Sequence, residues 1–213
     1  MVKIAPSLLA ANFACLKDEL EAIKTAHWLH YDVMDGHFVP NISFGYSILK
    51  DISKITDLYL DVHLMISDPM KYAKNFIDSN ASSITFHYEA IAKDKIFEMI
   101  NYLKQHHIGV GISIKPDTDV SVLKPYLDSL DLILIMAVEP GFGGQVFNES
   151  AVDKIACLAK LKQENNYHYL IEVDGGINDI TGKICRDAGV DVLVAGSYIF
   201  NSDDYAKKIE SLQ

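Results

Sequence analysis

The sequence predicts an α/β protein folded as a single (β/α)8 barrel that spans residues 1–213. Three observations indicate this fold class. Strand-like and amphipathic runs alternate along the whole chain, eight of each. The strand-like runs are apolar on both faces, as in a parallel sheet that helices cover. No linker-like or low-complexity segment divides the chain. An open, doubly wound sheet shows the same alternation and is the alternative fold.

The predicted strands are short apolar runs, and turn signals such as Asp35-Gly36 end them. They cover residues 3–8, 29–34, 58–64, 82–87, 108–114, 131–136, 168–174 and 191–195. The amphipathic runs predict helices at residues 14–26, 46–54, 70–79, 92–105, 119–128, 149–164, 179–188 and 202–212. Residues typical of helix starts support four of them: Asn12, Asp68 followed by Pro69, Asp117 and Asn178.

The composition excludes several classes of protein. Hydrophobic residues make up 49% of the chain, enough for a large core, yet no run approaches the ~20 apolar residues of a membrane span. A net charge of −10 argues against nucleic acid as a partner. The N-terminus has no signal-peptide pattern, and the three cysteines lie far apart. We therefore expect reduced thiols in a cytoplasmic protein that binds neither membrane nor nucleic acid.

Metal-ligand side chains occur at the ends of three predicted strands. His30 and Asp32 share one face of LHYDVMDGHFVP, His63 lies in DVHLM, and Asp174 ends the seventh strand. Functional groups of a barrel lie at the C-terminal ends of its strands, so these four side chains are expected to converge. Two imidazoles and two carboxylates suit one divalent metal ion, such as zinc, iron(II), manganese or cobalt. Each residue alone also fits a structural role.

The two aspartates of this set suggest a second task. Asp32 and Asp174, facing each other across a substrate, can act as base and acid on its opposite faces. A metal ion between them can stabilise the oxyanion of an enediolate. This combination is typical of inversion at a carbon next to a carbonyl group, unless both aspartates serve as ligands alone.

Glycine-rich loops predict a phosphate-binding site. The loop VEPGFGGQVF at residues 138–147 follows the sixth strand, and further glycines follow the seventh and eighth strands. Because the chain has a single arginine, Arg186, beside 18 lysines, backbone N–H groups are expected to hold most of a phosphate. The first loop taken alone would also fit a flexible glycine turn. The candidates in these segments are Gly141, Phe142, Gly143, Gly144, Gly175, Gly176, Gly196 and Ser197.

The remaining candidates have weaker signals. Ser7 ends the first strand and is placed to contact a substrate hydroxyl or to serve only as a strand end. Three methionines near strand ends predict either an apolar wall beside the reacting carbon or core filling: Met34, Met65 and Met136. Four further residues are assigned less sharply: His87 to the core or the substrate, Glu172 to the surroundings of Asp174, and Asn41 and Phe44 to a loop over the mouth.

Long segments of the sequence resemble the ribulose-phosphate 3-epimerase family, over nearly the whole chain and in the family's order. They are KIAPSLLAANF, LHYDVMDGHFVPNISFG, DVHLMI, TFHYEA, GISIKPDT, MAVEPGFGGQVF, IEVDGGIN and VAGSYIF. Two of them, DVMDGHFVPN and VEPGFGGQ, are long and specific. One departure is Tyr198, where the family commonly has a small residue, and it concerns the packing of the phosphate loop.

The resemblance implies a (β/α)8, or TIM, barrel that interconverts D-ribulose 5-phosphate and D-xylulose 5-phosphate in the pentose phosphate pathway. It implies a metal site at His30, Asp32, His63 and Asp174, with zinc or iron(II) as the usual ion. It also implies that Asp32 and Asp174 are the acid/base pair, and that Ser7, His63 and Asp174 contact the phosphorylated ketose. Dimers and hexamers are common in the family, so a homo-oligomer is expected.

Three alternative functions share part of this pattern. A 3-epimerase of a phosphorylated hexulose, such as allulose 6-phosphate, would use the same four ligands. A decarboxylase or aldolase barrel would need a lysine-aspartate array at the strand ends, for which only Lys115 is placed. A non-catalytic phosphosugar-binding barrel would not need both aspartates and both histidines.

Overall fold

The computed structural model describes residues 2–213, which form one eight-stranded, all-parallel sheet. Its strands are β1 (Lys3–Pro6), β2 (Trp28–Met34), β3 (Tyr59–Met65), β4 (Ser83–His87), β5 (Gly109–Ile114), β6 (Leu132–Met136), β7 (Leu170–Asp174) and β8 (Val192–Ala195). From β2 to β8 each strand pairs with the next one in sequence, and β1 pairs with β8. A bridge between Ser7 and His30 links β1 to β2, so the predicted barrel is confirmed.

Helices follow most strands, as the sequence predicts. They are α1 (Leu16–Ala22), α2 (Tyr46–Ile52), α3 (Pro69–Ile77), α4 (Ile96–Gln105), α5 (Ser150–Asn165), α6 (Asp179–Asp187), α7 (Ser197–Phe200) and α8 (Tyr205–Ser211). The side chains of Asp68 and Asn178 accept hydrogen bonds from the first turns of α3 and α6, in agreement with the capping signals. Among the helices of residues 2–213, each falls short of the length or the hydropathy that crossing a membrane requires.

The prediction of a helix at residues 119–128 is wrong. Two 3-10 turns, Val120–Leu123 and Leu127–Ser129, take its place. Pro125 explains the break, because it has no N–H to donate and its ring clashes with a carbonyl four residues earlier in a helix. The turn also starts later than expected: the side chain of Asp119, and not that of Asp117, accepts the hydrogen bond of Ser121 N.

The register of β2 and β3 stacks the inward side chains of the barrel in layers. Alternate residues of a strand face the same side, so each second pair of the register points into the barrel. From the N-terminal to the C-terminal end these pairs are Trp28 with Tyr59, His30 with Asp61, Asp32 with His63, and Met34 with Met65. The first pair stacks with ring centroids 4.4 Å apart and forms an apolar floor. The polar layers therefore lie above it, towards the C-terminal end.

The seam between β1 and β2 is closed by a histidine side chain. Ile4 N–H donates to His27 Nδ1 at 3.2 Å, and His27 N–H donates to the carbonyl of Ile4 at 3.2 Å. The ring thus supplies an acceptor in place of a ladder carbonyl. His27 is half-buried at this seam.

Candidate active site

A cavity of about 1510 Å³ opens at the C-terminal end of the barrel. Its lining combines the two aspartates, the three methionines and the glycine loops that follow β6, β7 and β8. Ser7 at the end of β1 also lines it. Asp32, Asp174, Ser7 and the loop residues therefore border one space, whereas His30 and His63 are buried and do not line it.

The four expected metal ligands lie together, and two of them, Asp32 and Asp174, line this cavity. His30, Asp32, His63 and Asp174 each offer a ligand atom, and these atoms all lie within 4.8 Å of one another. Asp32 Oδ1 is 3.2 Å from His30 Nε2 and 3.1 Å from His63 Nδ1. Asp32 Oδ2 accepts a hydrogen bond from the Ser7 hydroxyl at 2.7 Å. One carboxylate thus contacts both imidazoles and the serine.

A second layer of buried acids lies beneath His30. Asp61 Oδ2 is 2.6 Å from His30 Nδ1, and Asp61 Oδ1 accepts from the Ser83 hydroxyl at 2.7 Å. Glu172 Oε1 is 3.6 Å from the same imidazole nitrogen, and neither of its carboxylate oxygens has a hydrogen-bond partner. Strand alternation put Asp61 on the inward face but did not indicate that it contacts His30. A ligand histidine held by a carboxylate in this way has a fixed orientation.

The crowding of carboxylates shifts their pKa values. Burial, and then the negative charge of Asp32, raise the pKa of Asp174 to about 7. Burial and Asp61 likewise raise the pKa of Glu172 well above its ordinary value. Burial acts against ionisation of Asp32 too, but His30 and His63 lower the pKa of Asp32 far below its usual range. The site holds more negative charge than its own side chains neutralise.

The residues present fit a divalent metal ion. His30 Nε2 is a buried nitrogen without a hydrogen-bond partner, and it faces the Asp32 carboxylate. Two nitrogen and two carboxylate donors suit zinc and similar transition metals. Burial alone would lower the pKa of His30, yet Asp32, Asp61 and Glu172 raise it well above its ordinary value. Without a metal, a protonated imidazole therefore supplies part of the missing positive charge.

The methionines and the loop over the mouth border the cavity. Met34 and Met65 pack together with Val39, and Met136 packs with Leu134 and Val138. Asn41 Nδ2 donates to the carbonyl of Gly141 at 2.8 Å, which joins the loop after β2 to the glycine loop. Phe44 does not belong to this loop surface. It packs in the core with its ring 4.4 Å from that of Tyr31, because the chain has already turned towards α2.

The glycine loops have backbone conformations that side chains disfavour. Gly141, Gly144, Gly175 and Gly176 have φ values of +126°, +73°, +115° and +65°. A Cβ atom on Gly176 would lie 2.6 Å from Phe147 N, so the loops after β6 and β7 touch there. Gly196 and Ser197 line the cavity where the short helix α7 begins. Within residues 2–213 no lysine or arginine lines the cavity.

Two further residues were left open by the sequence, Tyr198 and Lys115. Tyr198 lines the cavity, and its hydroxyl lies 3.0 Å from Ser211 Oγ on α8. Lys115 Nζ lies 4.6 Å from the ring centroid of Phe38, outside the cavity lining. The lysine-aspartate array of a decarboxylase or aldolase is therefore not formed by the described residues.

His87 lies behind His63 and not in the cavity. Its Nε2 is 2.9 Å from His63 Nε2, and both rings are fully buried. The sequence left His87 between a structural role and a substrate contact, and its position favours the first. Glu89, which contacts His87 Nδ1 at 3.2 Å, had no sequence signal beyond its spacing of two from His87.

Comparison with known proteins agrees with the family resemblance of the sequence. A family model described as "Ribulose-phosphate 3 epimerase family" matches residues 3–200. Ribulose-phosphate 3-epimerase of Mycobacterium bovis is 43% identical over 213 residues, which cover 99% of this chain and 91% of that protein. The enzyme of the same name from Bacillus subtilis is 40% identical, with 100% and 99% covered.

Solved structures resemble the chain in fold. A mutant tryptophan synthase alpha-subunit from Pyrococcus furiosus superposes with a TM-score of 0.73 at 12% identity, covering 100% of this chain and 98% of the other. The 3-hexulose-6-phosphate synthase of Salmonella typhimurium gives a TM-score of 0.71 at 17% identity, covering 99% and 96%. At such low identity these similarities concern the barrel alone.

Proposed function

The chain belongs to the ribulose-phosphate 3-epimerase family of isomerases, and we propose that it interconverts D-ribulose 5-phosphate and D-xylulose 5-phosphate. The observation that carries this proposal is the cluster of His30, Asp32, His63 and Asp174. Their ligand atoms lie within 4.8 Å of one another. Two of its members are carboxylates that line the cavity and have pKa values shifted in opposite directions.

The two aspartates act as the acid and the base of the epimerisation. One removes the proton from C3 of the ketose and leaves an enediolate, and the other returns a proton to the opposite face of C3. The pair needs one ionised and one protonated member at the start. In the metal-free chain the pKa of Asp32 is low and that of Asp174 is raised, so the two carboxyl groups already differ in the direction that this arrangement requires. The roles exchange when the reaction runs in the other direction.

His30, Asp32, His63 and Asp174 would hold one divalent ion, with zinc or iron(II) first and manganese or cobalt next. The positive charge of such an ion would stabilise the oxyanion of the enediolate. Ser7 holds Asp32 Oδ2 through its hydroxyl and reaches the substrate from the rim. Met34, Met65 and Met136 form the apolar wall that keeps water from C3.

The glycine loops bind the phosphate group of the ketose. Backbone N–H groups of the loop from Gly141 to Gly144, of Gly175 and Gly176, and of Gly196 and Ser197 surround the phosphate, while the Phe142 ring covers it. Phe142 is 54% exposed and lines the cavity, which supports this position at the mouth. The absence of a cationic side chain from the described lining also supports a backbone-based phosphate site.

A proton-exchange experiment tests the proposal. Metal-loaded protein is incubated with D-ribulose 5-phosphate in deuterated water, and C3 is followed by NMR with a chelator-treated control. We expect D-xylulose 5-phosphate that carries deuterium at C3, and loss of this product in the control. Exchange on a phosphorylated hexulose but not on the pentulose would show that the substrate is the hexulose phosphate. Ligand binding without any exchange would contradict the enzymatic proposal.

Replacement of either aspartate should stop turnover in both directions. Asp32→Asn and Asp174→Asn each keep the shape of the side chain but remove its ability to take a proton, so we expect kcat to fall by roughly 10²- to 10⁴-fold. Asp179→Asn, at an exposed position five residues beyond Asp174, is the matched control. Near-normal turnover of either site variant in a coupled assay would rule out the two-aspartate mechanism.

Self-association as a dimer or hexamer and a cytoplasmic location stay predictions that follow from the resemblance. Sedimentation velocity of the metal-loaded protein tests the first, and a single species at the mass of one chain would contradict it.

A further inference from the structure

A line of buried hydrogen-bonding groups extends from the metal-ligand cluster to the barrel rim. His63 Nδ1 lies 3.1 Å from Asp32 Oδ1, and His63 Nε2 lies 2.9 Å from His87 Nε2. His87 Nδ1 is in turn 3.2 Å from Glu89 Oε2. The two imidazoles have no solvent exposure, and the Glu89 side chain is 22% exposed. The His87 and Glu89 contacts have no part in the acid/base steps.

Glu89 is held as an ionised acceptor by its other oxygen. Glu89 Oε1 accepts from Lys115 N–H at 3.0 Å and from the hydroxyl of Thr118. Burial would raise the pKa of Glu89, but His87, Thr118 and the Lys115 N–H lower it to about 2. The second oxygen therefore needs a donor, and His87 Nδ1 is the group that faces it.

Once a metal is bound, the role of His63 as a ligand sets the direction of each hydrogen bond in this line. A histidine ligand is neutral and points a lone pair at the metal, so His63 Nδ1 has no proton and its Nε2 carries one. At 2.9 Å, His63 Nε2–H must donate to His87 Nε2, which therefore has no proton. His87 then carries its proton on Nδ1 and donates it to Glu89.

We propose that Glu89 and His87 are positioning residues that keep His63 Nδ1 free of a proton and directed at the metal. This inference depends on the proposed function, because it takes His63 as a ligand. It assigns the His87–Glu89 pair the task that Asp61 has for His30, whose Nδ1 contacts Asp61 and whose Nε2 faces Asp32. The two histidines thus present different ring nitrogens to one site.

The substitution Glu89→Gln tests the direction of the hydrogen bonds from His63 to His87 and from His87 to residue 89, because it should reverse both. The Gln carbonyl oxygen is expected to stay with Lys115 N–H and the Thr118 hydroxyl, so its NH₂ group faces His87 Nδ1. His87 must then accept at Nδ1 and carry its proton on Nε2. His63 Nε2 becomes the acceptor, and its proton moves to Nδ1, where the metal would bind.

We expect Glu89→Gln to weaken zinc binding by about 10- to 100-fold, as measured by competition with a chromophoric chelator. Nitrogen-15 NMR of the zinc-loaded wild-type protein should show His87 protonated on Nδ1, and the metal-free variant should show it protonated on Nε2. His87→Phe, which removes the acceptor of His63 Nε2, should weaken zinc binding in the same direction. It serves as the second variant if Glu89→Gln does not fold.

Thr118→Val is the matched control. It removes one hydrogen bond from Glu89 Oε1 and loosens the same turn, but the carboxylate that faces His87 stays. Its zinc affinity and His87 tautomer should equal those of the wild-type protein. An equal loss of affinity in Thr118→Val and Glu89→Gln would reduce Glu89 to a structural role and overturn the proposal.

Two other results would also overturn it: a His87 protonated on Nε2 in the zinc-loaded wild-type protein, or an unchanged zinc affinity in Glu89→Gln. Failure of the proposed function has a different signature. A wild-type protein that binds no zinc, iron(II), manganese or cobalt would contradict the metal site itself, whereas the change of the His87 tautomer in Glu89→Gln would still support the direction of the line.

Discussion

At the scale of single residues, charge determines what the site can hold. Four buried or nearly buried carboxylates, those of Asp32, Asp61, Glu172 and Asp174, surround two imidazoles. Unpaired charges of one sign are costly in a barrel interior, so the group either takes up protons or binds a cation. The raised pKa values of Asp174 and Glu172 are the first response, and the proposed divalent metal would be the second.

Removal of the Asp174 charge should stabilise the metal-free protein at high pH. Its pKa rises from 3.8 to about 7 on folding, so the folded chain binds more protons than the unfolded chain between these values. Stability from this group is therefore lost as the pH rises through that range. With a chelator present, calorimetry should give Asp174→Asn a higher Tm than the wild type at about pH 8 and an equal one near pH 4. A difference independent of pH would contradict this explanation.

At the scale of elements, the β1–β2 seam depends on the neutral ring of His27. Replacement by Ala leaves Ile4 N–H without its acceptor and should cost about 0.5–1.5 kcal/mol in urea unfolding at about pH 8. Burial and Lys3 lower the pKa of His27, so its stabilising effect is present above the ordinary value of 6.5 and is lost as the pH falls through the folded-state value. The cost of His27→Ala should therefore shrink in acid.

The exposed His168 provides the control for this seam. His168→Ala should leave the unfolding midpoint unchanged at both pH values. Equal effects of the two substitutions would show that the His27 ring does not close the barrel.

The contact between the loops after β6 and β7 should require glycine. Gly176→Ala places a Cβ atom 2.6 Å from Phe147 N at a φ of +65°, so one loop must move. We expect KM for the phosphorylated ketose to rise and kcat/KM to fall by up to about 10²-fold. Gly45→Ala, whose Cβ atom meets nothing within 4 Å, is the control. Unchanged steady-state kinetics in Gly176→Ala would contradict the role of this contact.

At the scale of the whole molecule, the ligand cluster joins β2 and β3 to β7 across the barrel axis. A metal that binds only the folded chain should stabilise it, by about 2.7 kcal/mol at a free concentration 100 times its Kd. A chelator should therefore lower the Tm, and zinc should restore it. His63→Asn should lose this response, and a Tm of the wild type that zinc does not change would argue against the site.

The sequence by itself determined the barrel, most of its elements and the residues at the strand ends. These features are local: strand alternation gives the face of a side chain, and the position along the strand gives its height in the barrel. His30, Asp32, His63 and Asp174 could be brought together in this way, and the glycine loops could be recognised from composition. The helix expected at residues 119–128 does not form, because an amphipathic pattern does not register the break that Pro125 imposes.

Only the tertiary structure decided which side chains touch. The register of β2 and β3 sets Asp61 beside His30, and a turn closed by Thr118 holds Glu89 against His87 from 29 residues away. Tertiary packing likewise placed Phe44 in the core and His27 at the β1–β2 seam. Periodicity gives the direction of a side chain but not its partner, because the partner depends on register and on loop paths set by packing across the whole barrel.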